Sequence, residues 1–237
     1  MGRDTATPQV GAFHRLAALT AAQVADVEDA TTVGTPQAGE PADVDLSLPQ
    51  GGDPAVDGVT LVDALARRRT RREPPAEELD IDRLGRLLGG AARTADDGRR
   101  PHPSAGAAYP LRLDVVALRC GDVPAGVHRY EPGAHGLRTS ATGDATATVE
   151  QVFGRGWVAE ARAVLVISAD LGEATASHDL RGYRYALLEA GHLAQSLLLL
   201  AAAADLPACP VGGFADRELG QLLGDRQGEV ALYAVVL

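Results

Sequence analysis

Three short phrases of this chain hold residues fit for chemistry. Pro103-Ser104-Ala105-Gly106-Ala107-Ala108-Tyr109-Pro110 is a small-residue turn boxed by two prolines. Arg181-Gly182-Tyr183-Arg184-Tyr185-Ala186-Leu187-Leu188-Glu189-Ala190-Gly191-His192 opens a long apolar helix with two arginines, two tyrosines, a glutamate and a histidine. Arg67-Arg68-Arg69-Thr70-Arg71-Arg72 is a basic run with one hydroxyl. Arginine's planar fork matches phosphate geometry, and small residues let backbone approach a flat ligand closely. Together the phrases point to a site for an aromatic, phosphate-bearing cofactor. All 22 basic residues are arginine, so no lysine can serve as a phosphate-loop lysine.

Each phrase also has a purely structural reading. The arginine run follows an amphipathic helix and would suit a solvated patch or a helix C-terminus. The proline-boxed phrase would serve as a tight turn. Val211-Gly212-Gly213 can offer unobstructed N–H groups to a ligand, or simply turn the chain before a helix near Asp216. Tyr185, Glu189 and His192 stand at helical spacing. Glu189 and His192 could form an acid/base pair, or satisfy each other or an arginine such as Arg184. The histidines lack metal-ligand spacing, so no metal site is expected. A serine-hydrolase elbow is absent, as is a dinucleotide fingerprint after any expected strand.

These groups need elements to hold them. The 237 residues carry a net charge of −10, which argues against nucleic acid or an anionic membrane as partner. Residues 1–58 hold nine acidic residues against Arg3 and Arg15 and are broken by five prolines. They read as an extension, with a helix over Phe13–Ala30 and an extended wrap or linker over 31–58. From residue 59 to 237 the pattern is that of a folded domain. Helices are expected over Thr60–Arg69, Pro75–Gly89 (stopped by its glycines), Val149–Phe153, Gly182–Ala204 and Asp216–Leu223. Strands are expected over Leu111–Arg119, Arg162–Ala169 and Glu229–Leu237, with a hairpin from Gly126–Tyr130 and Gly136–Ser140. This order gives an α+β fold with the long helix central. Cys120 and Cys209 read as reduced, buried thiols. No signal core precedes the domain, and the apolar run Leu193–Leu206 is too short to span a bilayer, so a soluble cytoplasmic protein is expected.

Arg68-Arg69-Thr70-Arg71-Arg72, the Pro103–Pro110 turn, Arg181–His192, Val211-Gly212-Gly213-Phe214 and Gly126-Val127-His128-Arg129-Tyr130 with His135 together resemble the nitroreductase superfamily. More narrowly they resemble its SagB-type (azoline) dehydrogenases, over about Val59–Leu237. The resemblance implies a nitroreductase-like fold: a mixed, mainly antiparallel sheet flanked by helices, dimeric, with the long helix in its core. It implies FMN at the interface of a homodimer. Arg68, Arg69, Thr70 and Arg72 would hold the phosphate and ring edge. Pro103, Ser104, Ala105 and Gly106 would line the flavin ring from the same or the partner subunit, and Val211, Gly212 and Gly213 would offer backbone contacts to its edge.

Members of that branch oxidise azolines to azoles in peptide natural products, or act on carrier-bound intermediates in peptide assembly. A Lys-Tyr pair usual shortly before the R-G-Y-R-Y phrase reads Ser177-His178 here. His178 is therefore the expected base, with Tyr183, Tyr185 and Glu189 next in line. An NAD(P)H-fed nitroreductase-like reductase, or an inactive subunit scaffolding a synthetase complex, are the competing readings.

Overall fold

The computed structural model describes residues 12, 13, 16–18, 42–49, 58–73 and 78–237. Seven strands make one sheet: β1 (Leu46–Ser47), β2 (Leu111–Ala117), β3 (Gly126–Glu131), β4 (Gly136–Thr142), β5 (Ala163–Asp170), β6 (Cys209–Val211) and β7 (Glu229–Val236). Their order across the sheet is β1-β4-β3-β2-β5-β7-β6. Every pairing among these strands is antiparallel, so the sheet is more uniform than the mixed one expected. The described helices are α1 (Leu61–Arg67), α2 (Ile81–Ala92), α3 (Thr146–Phe153), α4 (Gly156–Ala159), α5 (Leu171–Ala176), α6 (Asp179–Ala203) and α7 (Asp216–Leu222).

Strand alternation builds two cores. Leu113, Val115 and Ala117 of β2, with Leu165 and Ile167 of β5, face one side and pack with α2 and α6. Val116, Val164 and Val166 face the other and pack with Val149, Val152 and Leu219 of α3 and α7. The sheet therefore lies between two helical layers, and the apolar run of β5 is buried on both faces. α6 is long and apolar enough to cross a membrane by length and composition, but half of its most apolar stretch is buried inside the protein. Its Leu193, Leu197 and Ala201 belong to the first core.

Local chemistry sets the helix starts. The Thr60 hydroxyl accepts from the Asp63 N–H at 3.1 Å, and the Asp80 carboxylate accepts from the Arg83 N–H at 2.7 Å. α2 does not stop at its glycines: Gly89 and Gly90 lie inside it. A methyl on Gly89 would stand 2.8 Å from the His135 ring, and one on Gly90 would stand 2.9 Å from Leu200. Close packing, not helix termination, explains these glycines. The residues 74–77, where this helix was expected to begin, lie outside the described set, as does most of the Phe13–Ala30 stretch. Four elements had no periodicity long enough to be read: α4, α5, β1 and β6. The last is a three-residue edge strand held by β7. Both thiols are buried, and burial pushes Cys120 up to about 12.

Parts of the N-terminal residues lie against the domain. β1 adds to the sheet edge beside β4, and Leu48 is buried against α2 and the hairpin. The β3–β4 hairpin fastens this strap. The Tyr130 hydroxyl donates to His135 Nδ1 at 2.8 Å, and His135 Nε2 donates to the Pro49 carbonyl at 3.0 Å. Burial holds the His135 pKa below its ordinary value.

Candidate functional site

The Pro103–Pro110 turn is built from its backbone outward. Residues 105–107 form one 3₁₀ turn, with φ of 59° at Gly106 and 53° at Ala107; Tyr109 follows at 48°. Two of these three positive-φ residues are not glycine, so the conformation has to be held from outside. Ser104 holds it: its Oγ accepts from the Tyr109 N–H at 2.9 Å and donates to Glu189 Oε2 at 2.6 Å. Glu189 comes from the middle of α6 and is 2% exposed. The proline-boxed phrase and the R-G-Y-R-Y helix are thus tied by one hydrogen bond across 85 residues.

The other oxygen of Glu189 faces His102 Nε2 at 3.5 Å, and both side chains are buried. His102 Nδ1 lies 3.2 Å from the Ala91 carbonyl, which can only accept, so Nδ1 carries a proton. Glu189 hydrogen-bonds Ser104 through Oε2, while its Oε1 faces His102 Nε2 without a hydrogen bond. His192 lies on the exposed side of α6, so the structure does not assemble a Glu189–His192 acid/base pair. His102 went unremarked in the sequence because nothing local marks it; its partner is remote.

The arginine run sits elsewhere. Arg71 is neutralised within the fold, by Glu73 at 2.7 Å and Asp205 at 2.9 Å. Arg69 donates to the Ala66 and Arg68 carbonyls at 2.8 Å and so keeps its charge. Arg72 lies over the Trp157 ring at 6.0 Å. Among the described residues no carboxylate pairs with Arg68, Arg69 or Arg72, and Thr70 is exposed beside them. A cleft of about 480 Å³ opens here between Arg67, Arg69 and Arg71 and the end of α6.

Val211 ends β6, and Gly212 and Gly213 follow, both exposed. A methyl on Gly212 would meet only the Tyr233 ring at 3.6 Å, and one on Gly213 only the Arg155 guanidinium at 3.9 Å. These are ordinary contacts, so nothing among the described residues requires glycine there. Gly182 differs: a methyl there would run into the Ala174 carbonyl, so α5 and α6 pack too closely for any side chain.

His178 caps the corner between α5 and α6. Its ring meets Tyr185 edge-on at 5.1 Å, and among the described residues neither ring nitrogen has a hydrogen-bond partner. Arg181 lies over the other side of this group, 5.6 Å from the Tyr185 ring, and donates to the Ala17 carbonyl. Tyr183 meets Phe13 edge-on at 5.6 Å. The structure thus gathers His178, Tyr185 and Arg181 at one corner, Ser104, Glu189 and His102 at the turn, and the arginine run at a third place. No metal-binding cluster of histidine, cysteine or acidic residues occurs among the described residues.

A layered antiparallel sheet with a long buried helix carrying such a turn is the frame of a known class. Residues 65–237 match the Nitroreductase family, and the chain belongs to it. It is a nitroreductase-family oxidoreductase. MJ1384 of Methanocaldococcus jannaschii, provisionally named a nitroreductase, is 32% identical over 188 residues, which cover 77% of this chain and 93% of that protein. A provisionally named nitroreductase of Ralstonia eutropha superposes with a TM-score of 0.70 at 25% identity, covering 85% of this chain and 91% of the other. One of Anabaena variabilis superposes at 0.67 with 27% identity over 74% of this chain, but over only 37% of its own greater length. The E. coli microcin synthetase McbBCD complex, with truncated pro-MccB17 bound, shares the fold at a TM-score of 0.62 and 22% identity, covering 99% of this chain and 97% of that one.

Proposed function

We propose that this chain is an FMN-dependent dehydrogenase of the SagB type, acting in the cytoplasm as a homodimer. Its substrate would be a peptide-derived or carrier-bound azoline, oxidised to the azole in natural-product biosynthesis. The Ser104–Glu189 hydrogen bond carries this reading. It makes one working unit of the two phrases on which the narrower resemblance rests. The fold shared with a microcin synthetase subunit over nearly the whole chain is consistent with a peptide substrate and with work inside a complex.

The residues present fit FMN. Arg68, Arg69 and Arg72 keep charge that the fold leaves unspent, and the Thr70 hydroxyl adds a donor for a terminal phosphate. Gly212 and Gly213 leave room that no neighbour in this chain uses. No residue of the Pro103–Gly106 turn lines the cleft at the arginine run, which suits a ligand shared between two subunits. Leu61, Val62 and Leu65 of α1 and Leu187 and Leu188 of α6 are between 43% and 73% exposed, an apolar surface fit for the second copy. Residues 59–237 would form the catalytic domain, and 1–58 an extension that wraps the dimer or docks a partner.

Bound FMN supplies the acceptor for the hydride. The chain's own residues would orient the ring and remove the proton. Aromatising an azoline releases one hydride and one carbon-bound proton. His178 would take the latter on a ring nitrogen that no other group engages. His178→Ala should lower azoline turnover by about 10²–10⁴-fold and leave the flavin spectrum unchanged. The deciding experiment is the absorption spectrum and released-cofactor mass of the purified protein, followed by turnover of an azoline peptide. Stoichiometric FMN with azole formation supports the proposal. FMN reduced by NADPH without azole formation identifies a reductase, and a colourless protein a scaffold.

A further inference from the structure

A second cleft, of about 400 Å³, opens at the end of the proline-boxed turn, where Ala108 and Tyr109 line it. That volume is within the range of small-molecule sites. Four arginines line it: Arg100, Arg112, Arg129 and Arg138. Three are matched by carboxylates. Arg112 pairs with Glu173 at 2.6 Å, and Arg138 with Glu131 at 2.8 Å. Arg129 is shared by Asp114 and Glu229 at 2.9 and 2.7 Å.

Arg100 is different. Among the described residues no carboxylate pairs with it, and its Nε is buried with no hydrogen-bond partner. Its guanidinium stands over the Tyr109 ring, 5.0 Å from the centroid. Burial and then the charge of Arg112 depress its pKa, only partly offset by Glu189, Tyr109 and Tyr130. A desolvated cation without a counter-ion is costly, and an anionic ligand removes that cost.

We propose that this cleft binds a small organic carboxylate, with its carboxylate on the Arg100 fork and its apolar body toward Leu113 and Leu193. The charge count selects the class. One guanidinium is free, and Glu131 and Glu173 line the same cleft, so a monoanion is matched and a phosphate dianion is repelled. Leu111, Leu113 and Leu193 give the otherwise polar cleft one apolar wall, which favours a carboxylate that carries a small hydrocarbon body over a bare ion. The site is distinct from the arginine run and does not depend on flavin. It nevertheless touches the turn: the Arg100 N–H donates to the Tyr109 hydroxyl at 3.0 Å, and the Tyr109 N–H donates to Ser104.

Calorimetric titration of the purified protein with benzoate, its neutral isostere benzamide, and inorganic phosphate tests this. Benzoate should bind saturably, and benzamide and phosphate at least about ten-fold more weakly. Arg100→Gln should weaken benzoate by about ten- to hundred-fold, the worth of a charged hydrogen bond. Arg68→Gln should leave benzoate binding intact. Arg100→Lys keeps the charge and should retain most of the binding, which decides the matter if Arg100→Gln fails to fold. Equal binding of benzamide or phosphate, or benzoate binding lost in Arg68→Gln and unchanged in Arg100→Gln, overturns the proposal.

Discussion

The proline-boxed turn and the arginine–glycine rim are both rich in polar or permissive residues, yet the fold treats them in opposite ways. At the turn, Ser104 is matched to partners inside the chain, one of them the buried Glu189 carboxylate, and strain at Ala107 and Tyr109 is held by those bonds. At the rim, only Arg71 is neutralised internally. Among the described residues the guanidinium groups of Arg68, Arg69 and Arg72 meet no carboxylate, with Arg69 on backbone carbonyls and Arg72 over Trp157, and no neighbour requires glycine at 212 and 213. A buried polar group must be satisfied by its own chain, whereas an exposed one can wait for a ligand. The turn is therefore architecture that aims a site, and the rim is the part that would bind.

The contrast can be broken most sharply at Glu189. Glu189→Ala strips Ser104 and His102 of their partner and should destabilise the protein by about 3–5 kcal/mol in denaturant unfolding. Glu189→Gln keeps an acceptor for Ser104 and should cost about 1 kcal/mol. A stability loss for Glu189→Ala no greater than that of a rim arginine would erase the distinction. The glycines give a second comparison. Gly182→Ala forces α5 from α6 and should cost about 1–3 kcal/mol, whereas Gly213→Ala should stay within about 0.5 kcal/mol. Its effect should fall on flavin retention instead.

Arg68→Ala should likewise leave stability within about 0.5 kcal/mol while weakening flavin retention by about 1.5–3 kcal/mol, read by equilibrium dialysis. Unchanged retention would remove Arg68 from the phosphate site. The smallest effect belongs to the strap. The His135 pKa is depressed in the folded state, so the unfolded chain binds the proton more readily. Stability from this group is complete above about pH 6.5 and is lost as pH falls below it toward the folded value. His135→Gln should flatten that part of the melting-temperature profile. An unchanged profile would show that the Tyr130–His135–Pro49 bonds do not fasten the strap.

Much of the frame was legible because it is written in neighbouring residues. The apolar run Val164-Leu165-Val166-Ile167 became the doubly buried β5, and the hairpin around Pro132 and Gly133 lies where its turn chemistry put it. The long apolar helix formed as α6, extended at its start to Asp179. The short elements α4, α5, β1 and β6 were not legible, since four to six residues, or two or three on a sheet edge, carry too little periodicity. The site was legible in its parts and not in its connections. Ser104 and Glu189 were each singled out by residue type, but Glu189 was set beside His192, its neighbour in sequence, rather than Ser104 and His102.

The division follows from the range of the forces. Periodicity, caps and turn residues act over a few positions, so the order of strands and helices, the lysine-free composition and the presence of the arginine run belonged to the sequence alone. Which polar groups meet depends on how two faces of a sheet are covered. Only the packed chain could bring Glu189 under Ser104, crowd Gly89 and Gly90 against His135 and Leu200, neutralise Arg71 with Asp205, and leave Arg100 without a carboxylate.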